Sequence, residues 1–121
     1  MEAQAVLAAL AALRLPPGVG EDEMHRHIAQ GLARAGLPCV HEAKLAPRCR
    51  IDFLVGDVGV EVKCGKPGRA ALLSQLARYA ACPQVMALVL VVQRSVRLPP
   101  QVGGKPCHTV GMNRLWGIAL P

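Results

Sequence analysis

Hydrophobic positions along the chain follow two periods, and the switch between them marks out the elements. Val6, Leu7, Leu10 and Leu13 recur at helical spacing within Glu2 to Leu15, a stretch that Pro16-Pro17-Gly18 ends. This segment reads as an amphipathic helix that packs on the body of the protein or on a second subunit. It is too short to span a bilayer, and Glu2 in place of a basic start argues against a signal peptide. From Glu21 to Ala35, Met24, Ile28 and Leu32 fall on one helical face, with acids in the first turn and Gly36 after the last. Leu37 to Leu45 reads as a strand. Arg50 to Val55 and Val58 to Lys63 are clearer strands, rich in β-branched residues and split by Gly56-Asp57, which suits a two-residue hairpin turn with glycine first. Ala70 to Ala81 sets Leu72, Leu73, Leu76 and Tyr79 on one face of a further helix, which Cys82-Pro83 stops. Val85 to Val92 is apolar throughout, as a central strand covered on both faces would be. Pro99-Pro100 and Gly103-Gly104 then mark a loop, and His108 to Leu120, with Trp116, suggests a short strand or a helical ending.

Strands alternating with helices indicate an α/β domain, and 121 residues leave no room for a second core. The expected organisation is one domain: an accessory helix over 1–15, a core over 21–92 and a variable end over 93–121. Five cysteines, odd in number and without a CxxC, argue against a disulfide framework or a zinc ribbon and fit a reducing, cytoplasmic setting. Phe53, Tyr79 and Trp116 are the only large aromatics, so stacking on bases is not the main device of this chain.

Charge is unevenly placed. Residues 1–61 hold all eight acids against six Lys/Arg, whereas residues 62–121 hold eight Lys/Arg and no acid. Such a half would make a positive field suited to a polyanion, nucleic acid above all, or else an ordinary solvated basic surface.

The hairpin is where the pattern becomes chemistry. With Gly56 and Asp57 as the turn, the ladder pairs Val55 with Val58, Leu54 with Gly59, Phe53 with Val60, and Asp52 with Glu61. Opposed like charges, with Cβ atoms roughly 5 Å apart, destabilise a sheet unless a cation or a raised pKa compensates. A metal is the simplest compensation. Alternation puts Lys63 beside Glu61 and Arg50 beside Asp52, and turns Phe53, Val60 and Val62 to the opposite, core face. Hard carboxylate oxygens suit Mg2+ or Mn2+, and an ammonium next to them can orient water or stabilise charge on a phosphate. The alternative is an exposed strand on which Lys63 and Arg50 form salt bridges with the acids.

The stretch RIDFLVGDVGVEVKCG, Arg50 to Gly65, followed by LLSQLARYA, Leu72 to Ala80, resembles the PD-(D/E)XK nuclease superfamily. The resemblance spans about residues 21 to 92. It implies a restriction-endonuclease-like αβββαβ core, with a mixed sheet flanked by helices, and a divalent-metal-dependent endonuclease acting on DNA, duplex or branched. It also implies Mg2+ or Mn2+ held by Asp52, Glu61 and the backbone of Val62, with Lys63 acting on the water. Many members carry an acid at the start of the first core helix. Glu21 fits that place better than Glu23, because Met24, Ile28 and Leu32 follow it at helical intervals; a plain helix N-terminal acid is the other reading. Gln75 matches a glutamine that several subfamilies aim into the site, and is otherwise a neutral helix residue. Ile51 stands where the superfamily often has proline, which bears on the subfamily. Lys66, Arg69 and Arg78 are the expected phosphate contacts, and the first helix is the expected contact surface of a homodimer. A nuclease-like domain that binds nucleic acid or protein without cutting is the competing expectation.

Other candidates carry less. His25 and His27, two apart on a helix, cannot share a metal, and His41 and His108 stand alone. Cys64, by alternation, is expected to be a buried inert thiol. The loop Gly65 to Gly68 lacks the order of a nucleotide-binding glycine loop.

Overall fold

A computed structural model describes residues 2–16 and 18–111. The chain forms α1 (Glu2–Ala11), α2 (Glu21–Arg34), β1 (Val40–Ala46), β2 (Cys49–Val55), β3 (Val58–Lys63), α3 (Arg69–Ala80), β4 (Ala87–Val92), β5 (Gln101–Val102) and β6 (Lys105–Gly111). The strands make one mixed sheet in the order β1-β2-β3-β4-β6-β5. The pairs β1–β2, β2–β3 and β5–β6 are antiparallel, whereas β3–β4 and β4–β6 are parallel. Helix α3 is the crossover that parallel pairing of β3 and β4 requires. The result is an α/β domain with the sheet covered on both faces.

Two apolar layers follow from the periods in the sequence. On one face, Val6 and Leu10 of α1 and Met24, Ile28 and Leu32 of α2 pack with Phe53, Val55, Val60, Val62, Val89 and Val91. On the other, Leu72, Leu76 and Tyr79 of α3 pack with Ile51, Leu88, Leu90 and Val92. Every residue of β4 is buried, as its unbroken apolar run predicts for a strand between two layers. Among the described residues no helix is long and apolar enough to cross a membrane.

Four expectations are corrected. Helix α1 stops at Ala11, short of Leu15, closing with a bond from the Leu13 N–H to the Leu10 carbonyl. Leu13 and Leu15 are both buried, and residues two apart face one side only where the chain is extended. Because Val6, Leu10 and Leu13 are buried in the chain's own core, that stripe is not a surface for a second copy, and the homodimer expected from it loses its basis. Leu37 caps α2 instead of beginning a strand: its N–H donates to the Leu32 carbonyl and that of Gly36 to Ala33, a Schellman closure that delays β1 to Val40. Finally, Gly103-Gly104 is a hairpin turn between Val102 and Lys105, not open loop. Positive φ at both glycines (59° and 78°) matches the twist of a tight hairpin, and β6 then joins the sheet beside β4. Trp116 lies outside the described residues.

The first hairpin forms as expected, with Val55–Val58, Leu54–Gly59 and Phe53–Val60 paired and Gly56 at φ 61°. At its far end the sheet is irregular. Strand β1 pairs His41 with Phe53 and Ala43 with Ile51, and between them Glu42, opposite Asp52, adopts φ 53°. Ile51 and Phe53, two apart in sequence, consequently belong to opposite layers. The left-handed conformation costs a side chain about 1–2 kcal/mol, which glycine escapes at about 0.5–1 kcal/mol of chain entropy. Glu42→Gly is therefore expected to unfold in urea within about 1 kcal/mol of wild type, whereas Glu42→Val, with a β-branch at positive φ, loses about 1–2 kcal/mol more. Equal midpoints for the two variants would contradict a strained Glu42.

Candidate active site

The fourth hairpin pair, Asp52 with Glu61, does not form as ladder. Side chains take over instead: the Asp52 N–H donates to Glu61 Oε1 (3.2 Å), and the Val62 N–H donates to Asp52 Oδ2 (2.8 Å). Each carboxylate thus accepts a main-chain proton from the other strand, which holds two acids together where simple cross-strand opposition would repel them. Glu61 is only 5% exposed. Lys63 Nζ lies 3.3 Å from Glu61 Oε2, so the pairing of lysine with acid is present. Arg50 instead approaches Glu42, at 3.8 Å, and both side chains are exposed.

Both helical layers reach this notch. From α3, the Tyr79 hydroxyl lies 3.0 Å from the Arg50 carbonyl and 3.2 Å from Glu61 Oε1, two acceptors for its one proton. Burial first, and then the Glu61 charge, push the phenol pKa upward, so Tyr79 is a donor here. From α2, His25 Nε2 lies 3.6 Å from Asp52 Oδ2 and 3.8 Å from Glu21 Oε2. Glu21 and His25 are one turn apart and so share a helix face, while Glu23 turns aside to His27 at 3.8 Å. Of the two acids, Glu21 is the one directed to the notch.

His25 is the residue that sequence reasoning misses. It is 8% exposed, its Nδ1 is 2.9 Å from His41 Nε2, and its Nε2 is buried without a hydrogen-bond partner. Its spacing of four from Glu21, on one helix face, is the signal that the sequence carries.

Cys64 is also corrected. Strand β3 ends at Lys63, alternation lapses there, and Cys64 is exposed beside the site. Its thiol pKa is pushed up, by partial burial first and then by the charges of Glu21 and Asp52. Lys63, Cys64, Pro67, Gly68, Gln75 and Arg78 line a cleft of about 510 Å3 that also reaches Leu72. Gln75 and Arg78 thus share this cleft with Lys63. Lys66 is exposed outside the lining, and Arg69 spends its Nε proton on the Arg97 carbonyl (2.9 Å). The cleft's rim is fixed by Gln93, whose N–H donates to the Lys63 carbonyl (3.1 Å) and whose Oε1 accepts from Gly65 (2.6 Å).

Four side chains here are the ones that could hold a divalent cation. Asp52 and Glu61 offer hard oxygens, Glu21 a third carboxylate at the rim, and the unpartnered His25 nitrogen lies near two of these acids. Among the described residues no three His, Cys, Asp or Glu side chains form a ready-made cage. Val62 contributes its N–H to Asp52. The chain matches no protein-family model, no curated protein and no solved structure.

The Glu61 carboxyl is held above its ordinary value of 4.5, first by burial and second by the Asp52 charge, with Lys63 and the Asp52 N–H opposing. The folded state therefore binds this proton more tightly than the unfolded chain. The resulting stability is complete below the ordinary value and is lost as pH rises through the raised one. In chelator, Glu61→Gln is expected to melt above wild type at pH 7, by about 4 °C if relief amounts to about 1 kcal/mol, and to converge with it near pH 4. Thermal melts across that range check this, and a lower melting point for the glutamine variant at pH 7 would reverse the sign.

Proposed function

We propose that the protein is a divalent-metal-dependent endonuclease of the PD-(D/E)XK type, with a restriction-endonuclease-like core, acting on DNA. The observation that carries this reading is the crossed bonding of Asp52 and Glu61 at the open end of β2 and β3, with Lys63 3.3 Å from Glu61. The element order α2-β1-β2-β3-α3-β4 supports it, being the helix, three strands, helix and strand that the resemblance implies.

Asp52 and Glu61 would hold the ion, with Glu21 and His25 completing the set from α2. Bound there, Mg2+ or Mn2+ supplies Lewis-acid polarisation of the phosphoryl group and a more acidic water. A nitrogen donor favours Mn2+ over Mg2+. The Lys63 ammonium donates to the attacking water or to the phosphate oxygen on which charge builds. Tyr79 donates to Glu61 and fixes its orientation, and Arg78 and Gln75 hold the backbone in the cleft beside Lys63. Lys66, Arg94 and Arg97 are exposed and can extend that contact, with Arg69 bracing the Arg97 loop. Lys105 takes no part, because its ammonium donates to the Cys82 and Val85 carbonyls.

Incubation with supercoiled, linear and four-way-junction DNA, and with RNA, in Mn2+ or Mg2+ tests this reading. Cleavage of DNA is expected, faster in Mn2+. Lys63→Ala should lower the rate by about 10^2–10^3, the usual cost of one transition-state donor, and Asp52→Ala by at least as much. Arg78→Ala should weaken DNA binding and flatten its salt dependence by about one counterion. Salt-dependent binding with every polynucleotide left intact would favour a non-catalytic nucleic-acid-binding domain.

A further inference from the structure

We propose that His41 is a positioning residue, which fixes the tautomer and ring orientation of His25 so that its Nε2 lone pair points into the ion site. The proposal rests on the nuclease reading and deepens it.

His25 Nδ1 and His41 Nε2 are 2.9 Å apart, so one of them must carry the shared proton. If His41 donates, a neutral His25 keeps its own proton on Nε2. That N–H would be buried with no hydrogen-bond acceptor, because Asp52 Oδ2 and Glu21 Oε2 are 3.6 and 3.8 Å away. That proton would point at the two carboxylates and occupy the place where an ion would bind, so this tautomer excludes His25 from the ligand set. If His25 donates from Nδ1, the unpartnered Nε2 is a lone pair near two carboxylates, a place that suits a cation. A metal-ligating histidine usually gives its other N–H to an acceptor, and that partner selects the liganding nitrogen.

His41 is itself held in place. It pairs with Phe53 across the β1–β2 ladder, and the two rings stack with centroids 4.9 Å apart at 25°. Phe53 is fully buried and adjoins Asp52 in sequence. The acceptor for His25 and the carboxylate facing its other nitrogen are thus carried by one strand pair, so α2 meets both at a fixed spacing. The irregular position Glu42–Asp52 lies immediately beyond this pair.

The test uses the full chain. Long-range 1H–15N spectra of the histidines are recorded in saturating Mg2+, and Mn2+ affinity is measured from the electron paramagnetic resonance signal of the free ion. With Mg2+ bound, the wild type should show His25 protonated on Nδ1 and without a proton on Nε2. His41→Phe, which keeps the ring on Phe53 but removes the acceptor, should weaken Mn2+ binding by about 10- to 100-fold. His41→Gln, whose amide oxygen can accept the same proton, should stay within about threefold of wild type. No Mn2+ binding by the wild type, or equal binding by Asp52→Asn, would remove the metal site on which the nuclease reading rests, and this proposal with it. If Asp52→Asn loses the ion but His41→Phe keeps it, or if His25 carries its proton on Nε2, only the role of His41 falls. Equal weakening by His41→Gln and His41→Phe would reduce that role to packing and also overturn it.

Discussion

Two carboxylates that would repel each other across a hairpin are instead tied to opposing backbones. Asp52 and Glu61 sit at the point where the β2–β3 ladder gives out, and each accepts an N–H that the ladder would otherwise have left unpaired. The antiparallel pair opens into a notch without abandoning buried donors. Burying Glu61 raises its proton affinity, and Lys63 and Tyr79 supply the nearest positive charge and hydroxyl. The geometry and electrostatics of the candidate site follow from that exchange of main-chain for side-chain acceptors.

The notch is reached from both sides because the sheet changes face beside it. With Glu42 at positive φ, Ile51 faces α3 while Phe53 faces α2, and Asp52 stands between the layers. His25 and Glu21 approach from one layer, and Tyr79, Gln75 and Arg78 belong to the other. A cleft beside Lys63 then borders a chain segment that carries no acid at all after Glu61. Not every cation there is free for a polyanion, since Lys105 and the Arg69 Nε are engaged with carbonyls.

Much of this was legible in the letters. The helical spacing of Met24, Ile28 and Leu32, the alternation around Phe53 and Val60, the glycine-first turn at Gly56 and the apolar run of β4 each specify local structure through a short-range rule, and each gives the expected element. Asp52, Glu61 and Lys63 were legible for the same reason: a two-residue hairpin fixes register, and register fixes neighbours. Short-range rules lapse where elements end. Cys64 lies one residue past β3, Leu37 belongs to a helix cap, and Gly103-Gly104 reads as loop until β6 is seen beside β4.

Local pattern alone specified α2, the β2–β3 hairpin, α3 and the buried run of β4, the meeting of two acids and a lysine at that hairpin, and a basic downstream half. Packing between distant elements settled that the acids bond to each other's backbones, that the α1 stripe is used up inside the chain, and that His25 and His41 meet between α2 and β1. These are contacts between elements far apart in sequence. Their partners are selected by how layers stack and where a sheet twists, and no local period records that choice.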